Sequence, residues 1–186
     1  MKTWLENYIA AQARALESIR VDDMARVIET VKKIWTEDRQ IFCIGNGGGA
    51  ASASHFATDL GKGASDKMAH RFRIMALTDN VPWITALGND YAYEDIFTRQ
   101  LENYARPGDL LITLSVSGNS PNCVKAVQWA LDHEMESIAV LGGQRGKLAS
   151  MGGQKIIVED THFGRVEDVQ MHVLHMICFA FMEKAV

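Results

Sequence analysis

Five short apolar or β-branched runs constrain this chain more than any other feature: Ile41–Ile44, Phe72–Leu77, Leu110–Leu114, Ile138–Leu141 and Ile156–Val158. Between them lie stretches that can hold helices, at about 50–62, 81–104, 119–133 and, more briefly, 146–151. Strand, helix, strand repeated in this way implies a parallel sheet covered on both faces. Two helices precede the alternation. Trp4, Leu5, Tyr8, Ile9, Ala13, Leu16 and Ile19 recur at helical spacing. A second helix is expected from about Val21 to Trp35, with Asp22 and Asp23 suiting the positive end of its dipole. These leading helices carry apolar residues outside the alternation and are suited to pack against another subunit. A long closing helix is expected from Val166 to Lys184. There is no linker, repeat or low-complexity segment, so 186 residues read as one domain with a substantial core.

Composition removes several function classes. Apolar residues make up 47% and charged residues 23%, close to the globular average. No apolar run approaches the roughly 18 residues a membrane span needs. The N-terminal stretch is interrupted by Glu6 and lacks a cleavage site, which speaks against a signal peptide and for a cytoplasmic location. Cys43, Cys123 and Cys178 form neither a CxxC pair nor a disulfide framework, and read as buried free thiols. A net charge of −4 argues against nucleic acid as the main partner.

The first strand runs into Gly45-Asn46-Gly47-Gly48-Gly49. Gly45-x-Gly47-x-x-Ala50 fits the loose dinucleotide fingerprint, between a strand and a helix as that motif requires. The acidic residue that should end the next strand is misplaced: Asp66 precedes that strand, and Asp79 comes 34 positions after Gly45. A phosphate-binding GxxxxGK[ST] loop is absent. Four glycines in five positions exceed what a turn needs, and each costs chain entropy on folding. The surplus is explained if the backbone comes close to a ligand. After the third strand, Ser115, Ser117 and Ser120 surround a helix start, with Ser120 at the N-cap and Pro121 at the first helical position. Hydroxyls, outward N–H groups and the positive dipole end make an anion site without a lysine, suited to a phosphate monoester. Both loops leave the carboxyl ends of strands, where open α/β sheets bind ligands.

Behind the glycine turn, His55 and Asp59 are four apart and share a helix face. Such a pair ligates a divalent metal, zinc or another first-row ion, or acts as base and orienter. Alternatively it is a surface ion pair. In the last helix, spacing alone favours Asp168, His172 and His175 as a set; Glu167 and His175 are about 80° apart around the axis. His172 is more simply a polar residue at an interface. Lys62, Lys67, Arg71 and Arg73 form a basic cluster that reads as a solvated loop and strand edge.

IGNGGGAASASHFATDL, LTDN, ALGNDYAYEDIFTRQL, PGDLLITLSVSGNSPN and GRVEDVQMHVLHMICF together resemble the sugar isomerase (SIS) domain, and within it the phosphoheptose isomerase family, over essentially the whole chain. The resemblance implies a flavodoxin-like, three-layer αβα sandwich on a five-stranded parallel sheet, with the N-terminal helices as additions. It implies a homotetramer with active sites at subunit interfaces. It also implies conversion of sedoheptulose 7-phosphate to D-glycero-D-manno-heptose 7-phosphate for surface-polysaccharide precursors, often with zinc. Residue by residue, it assigns phosphate binding to Ser115, Ser117 and Ser120, and substrate contacts to Asn46, Gly47, Gly48 and Asp90. It places metal and acid/base roles on His55, Asp59, Glu167 and His175, with Asp59 as base and His175 as its acid/base partner. The chain departs from the family pattern in four places. Gly49 stands where serine is usual, Asp59 where glutamate is usual and Glu167 where glutamine is usual, and a basic stretch fills 62–67. These mark a divergent subgroup. The rival expectation is a non-catalytic SIS tetramer that binds a sugar phosphate or a protein, as the DnaA-binding member does. Two histidines and two carboxylates at 55, 59, 167 and 175 favour the enzyme.

Overall fold

The structure, a computed structural model, describes residues 1–184. Helices α1 (Lys2–Glu17) and α2 (Val21–Thr36) lead into β1 (Gln40–Gly45), α3 (Gly48–Thr58) and β2 (Arg73–Ala76). Then follow α4 (Val81–Asp90), α5 (Thr98–Tyr104), β3 (Leu110–Ser115), α6 (Pro121–Asp132), β4 (Glu136–Gly142), α7 (Gly146–Ser150), β5 (Gln154–Val158) and α8 (Phe163–Met182). The five strands form one sheet in the order β2-β1-β3-β4-β5, every pairing parallel. That is the flavodoxin-like order, and its direction reverses between β1 and β3.

The central runs, β1, β3 and β4, are strands covered on both faces, while edge strand β2 leaves Arg73 and Met75 exposed. Along β1, Ile41 and Cys43 face one layer while Phe42 and Ile44 face the other, the period-two alternation of a pleated strand. The first layer packs α2, α3 and α8, through Val31, Ile34, Phe56, Val173 and Phe181, onto Leu110, Ile112 and Val140. The second packs α4 to α7, through Leu87, Leu101, Val127 and Leu148, onto Leu111 and Leu141. Each fully buried aliphatic side chain contributes on the order of 2 kcal/mol. Cys43, Cys123 and Cys178 are buried as expected. Burial pushes the thiols of Cys123 and Cys178 up to about 12, so they are unreactive.

Helix α1 buries little of itself. Trp4, Leu5 and Ile9 are exposed, and the helix docks on α8 partly through Gln12 Nε2, which donates to the carbonyl of Arg165. No helix among the described residues is long and apolar enough to cross a membrane.

Three boundaries differ from the sequence expectation. The 81–104 stretch holds two helices joined through a short 3₁₀ turn at Tyr93–Asp95. Its break follows Gly88-Asn89-Asp90, residues that support a helix poorly. Helix α8 starts at Phe163, three residues early, because His162 Nδ1 caps it by accepting from the Arg165 N–H. Helix α3 widens into a π-helical turn at Asp59–Ala64. Ser65 holds the end of that turn, its hydroxyl donating to the carbonyl of Leu60 and accepting from the N–H of Phe72.

Candidate active site

The loops after β1 and β3 diverge at the point where strand order reverses, and a cleft opens between them. Asn46, Gly49, Ser115, Ser117, Ser120, Phe163, Glu167 and Gln170 are among the residues that line it. Its floor is polar but tied down: Gln170 is buried and donates through Nε2 to the carbonyl of Val140.

The serine side of the cleft is built for donation. Ser115 Oγ accepts from the N–H of Gly118 at 3.1 Å, and Ser117 Oγ accepts from the N–H of Asn119 at 3.2 Å. A hydroxyl oxygen that accepts a backbone N–H has its own hydrogen free for another acceptor. Ser120 and Pro121 take the expected N-cap and first-turn positions of α6, and the Ser120 hydroxyl is not used for capping. The α6 dipole adds its positive end to these three hydroxyls. The β4–α7 loop buttresses this wall. Gly118 has φ +65°, and a Cβ there would collide with the carbonyl of Arg145. Asn119 Oδ1 accepts from the N–H of Lys147 at 2.8 Å, and the carbonyl of Gly118 accepts from Leu148 at 3.0 Å.

The glycines of the β1 loop divide into two groups. Gly45 is glycine because of this chain's own backbone packing, whereas Gly48 meets only the movable end of a side chain. A Cβ at Gly45 would stand 2.6 Å from the Gly49 backbone, and one at Gly48 would collide with the Glu167 carboxylate. Gly47, at φ +54°, is open. Gly49 lines the cleft, and a Cβ there would have its nearest neighbour 3.4 Å away.

A second group stands further along α3 and α8. Among the described residues, His55, Asp59 and His175 are the one set of three metal-type ligands whose donor atoms all lie within 4.8 Å of one another. Asp59 Oδ2 is 3.1 Å from His55 Nε2 and 3.4 Å from His175 Nε2, and the two rings meet edge to face. Asp59 opens the π-helical turn, a feature frequent at functional sites. A tetrahedral zinc with bonds near 2 Å has ligand–ligand edges of about 3.3 Å. Two imidazoles and a carboxylate at these separations therefore fit such an ion.

Glu167 is not in this group. Eight residues separate it from His175, about 12 Å of helix rise, and its carboxylate rests against Gly48 at the cleft. Asp90 is exposed at the end of α4, accepts from Asn89 Nδ2, and is not among the cleft-lining residues. His172 is exposed on α8, its Nδ1 near the Asp168 carbonyl. The basic cluster is engaged locally. Arg71 and Lys62 pair with Asp66 and hold its carboxyl below the usual range, while Arg73 reaches the carbonyl of Asp38.

Three residues of the site have no signal in spacing or composition. Asn122 exchanges hydrogen bonds with Asn46, and Tyr93 donates to the same Asn46. Buried Gln170 is the third. An Asn just after a helix-opening proline reads as ordinary helix, and Gln170 as one polar residue among many on α8.

A family model described as the SIS domain matches residues 4–142. The phosphoheptose isomerase of Akkermansia muciniphila is 35% identical over 184 residues, covering 96% of this chain and 95% of that protein. The phosphoheptose isomerase of Rhodospirillum rubrum is 37% identical over 165 residues, covering 86% and 87%. The solved structure of phosphoheptose isomerase GmhA from Neisseria gonorrhoeae superposes with a TM-score of 0.90 at 29% identity, over 100% of this chain and 99% of that one. The chain belongs to the SIS-domain family, within its phosphoheptose isomerase branch.

Proposed function

We propose that this protein is an aldose–ketose isomerase of sugar phosphates that converts sedoheptulose 7-phosphate to D-glycero-D-manno-heptose 7-phosphate. The observation that carries the reading is the pairing of an anion-binding serine wall with a carboxylate held between two imidazoles. In this reading Ser115, Ser117 and Ser120 donate to the phosphate, aided by the N-terminus of α6. Gly47 and Gly48 let the sugar approach the backbone, and Asn46 contacts it. Asp90, not among the residues that line the cleft in one chain, would act across a subunit boundary of a homotetramer. The exposed apolar face of α1 supports such an assembly.

The chemistry moves one proton between adjacent carbons through an enediol. Asp59 takes the C–H proton of the ketose and returns it to the neighbouring carbon. His175 exchanges the oxygen-bound protons, so that the carbonyl oxygen gains a proton as the hydroxyl oxygen loses one. His55 holds Asp59 from the other side. His55, Asp59 and His175 are also the residues that would hold zinc, and Glu167 joins them as a fourth ligand only once its side chain leaves Gly48. A bound zinc supplies Lewis-acid stabilisation of charge on the substrate oxygens. Residues 1–186 form a single SIS domain working in the cytoplasm, on precursors of lipopolysaccharide or capsule.

The test is turnover of sedoheptulose 7-phosphate by the purified protein, with metal content measured on the same sample. Formation of the aldose phosphate supports the reading. No turnover of any ketose or aldose phosphate, with zinc supplied, would leave a binding protein instead.

A further inference from the structure

The carboxamides of Asn46 and Asn122 face each other at the base of the cleft, and their orientation follows from one fixed donor. The backbone N–H of Cys123, in the first turn of α6, can only donate, and it lies 3.0 Å from Asn122 Oδ1. Asn122 must therefore turn its oxygen toward Cys123 and its nitrogen elsewhere. That nitrogen donates to Asn46 Oδ1 at 2.8 Å, and Asn46 Nδ2 donates back to Asn122 Oδ1 at 2.9 Å. Tyr93 donates its hydroxyl to the same Asn46 Oδ1 at 3.2 Å. The Asn46 oxygen thus has two donors, and one of its amide hydrogens has a strong acceptor. Among the described residues, the other amide hydrogen has only Cys123 Sγ within reach, at 3.7 Å, a weak acceptor.

We infer that Asn122 is a positioning residue that locks Asn46 as a hydrogen-bond donor toward the oxygens of the bound sugar phosphate. This rests on the isomerase reading only in naming the ligand. Three observations support it. Asn122 is 2% exposed, so its amide can point wrongly only at the cost of an unpaired buried group. Asn46 lines the cleft beside the serine wall. The lock ties the loop after β1 to the first turn of α6, so it sets the two walls of the cleft relative to each other. Lys125 of α6 also holds the Tyr93 turn, its ammonium 2.6 Å from the Asp95 carboxylate, which places the second donor from the same helix.

The experiment is a double-mutant cycle of Asn46→Ala and Asn122→Ala, read as KM and kcat for sedoheptulose 7-phosphate and as its Kd by calorimetry. Asn122→Ala is expected to raise KM and Kd about tenfold, the worth of one well-placed hydrogen bond, with kcat changed by less than about threefold. In the Asn46→Ala background the same change should cost less than about twofold, because there is no carboxamide left to orient. Tyr93→Phe, at an exposed position, removes the second donor to Asn46 Oδ1 without adding a charge. It should raise Kd severalfold while keeping the thermal midpoint near wild type, which covers the case in which the alanine variant folds poorly. Equal penalties of Asn122→Ala in both backgrounds, or a fall in thermal midpoint with KM and Kd unchanged, would overturn the proposal. If the wild type binds the ketose phosphate without turning it over, the isomerase reading fails, while the Kd cycle still decides the role of Asn122.

Discussion

At the scale of one residue, the length of the side chain at position 59 governs the site. The Asp59 carboxylate already reaches both imidazoles from the first residue of the π-helical turn. The shorter side chain is thus matched to its backbone position, and the extra methylene of Asp59→Glu has to fold away from His175. Asp59→Glu is expected to lower kcat about tenfold with little change in KM, measured by steady-state kinetics, since misplacing a base costs rate rather than binding. Position 49 makes the opposite prediction. The cleft has room for a Cβ there, at a backbone φ that side chains tolerate. Gly49→Ser adds a hydroxyl to the phosphate wall and should lower KM severalfold at unchanged kcat. His55, Asp59 and the serines were legible from spacing and turn chemistry. The Asn46–Asn122 lock was not, because no local pattern reports that two loops 76 residues apart meet.

At the scale of the element, the serine loop depends on its neighbour. Gly118→Ala puts a side chain at φ +65° and drives it into the Arg145 carbonyl, so the loop must move. The expected cost is about 3 kcal/mol in urea unfolding, with KM raised. At the start of α8, the Arg165 guanidinium clamps Asp160 with two bonds of 2.6 and 2.9 Å and holds its carboxyl down at about 2. A depressed carboxyl stabilises the fold above its unfolded value near 3.9, and that stability is lost as pH falls through the folded value. Asp160→Asn should therefore cost about 1 kcal/mol near neutrality. The gap to wild type should close between about pH 4 and pH 2, followed by circular dichroism. The central strands were legible because burial on both faces writes an unbroken apolar run. The π-helical turn was not, because its pitch depends on Ser65 bonding back to Leu60 and on the absence of a side chain at Gly61, where a Cβ would stand 3.0 Å from Ile74 Cγ2. Nor did the sequence say that the Glu167 carboxylate rests at the cleft by Gly48 while His175 stands beside Asp59. Their separation along α8 matters only once α3 is docked beside it.

At the scale of the whole molecule, strand order places the serine-lined cleft at the switch point between β1 and β3, and the His55, Asp59 and His175 group lies on α8 and the end of α3. The order was not legible from the apolar runs, which announce strands and not their neighbours; the flavodoxin-like order followed from the family resemblance. The layers were, from the alternation alone. The central claim is that Asp59 carries a carbon-bound proton during isomerisation. Proton magnetic resonance of sedoheptulose 7-phosphate incubated with the protein in deuterium oxide tests it most directly, comparing wild type with Asp59→Asn. The wild type should introduce deuterium at the two carbons that form the enediol. Asp59→Asn should slow that exchange by about 10²- to 10⁴-fold while still binding the sugar phosphate. Exchange by Asp59→Asn at the wild-type rate would contradict the account.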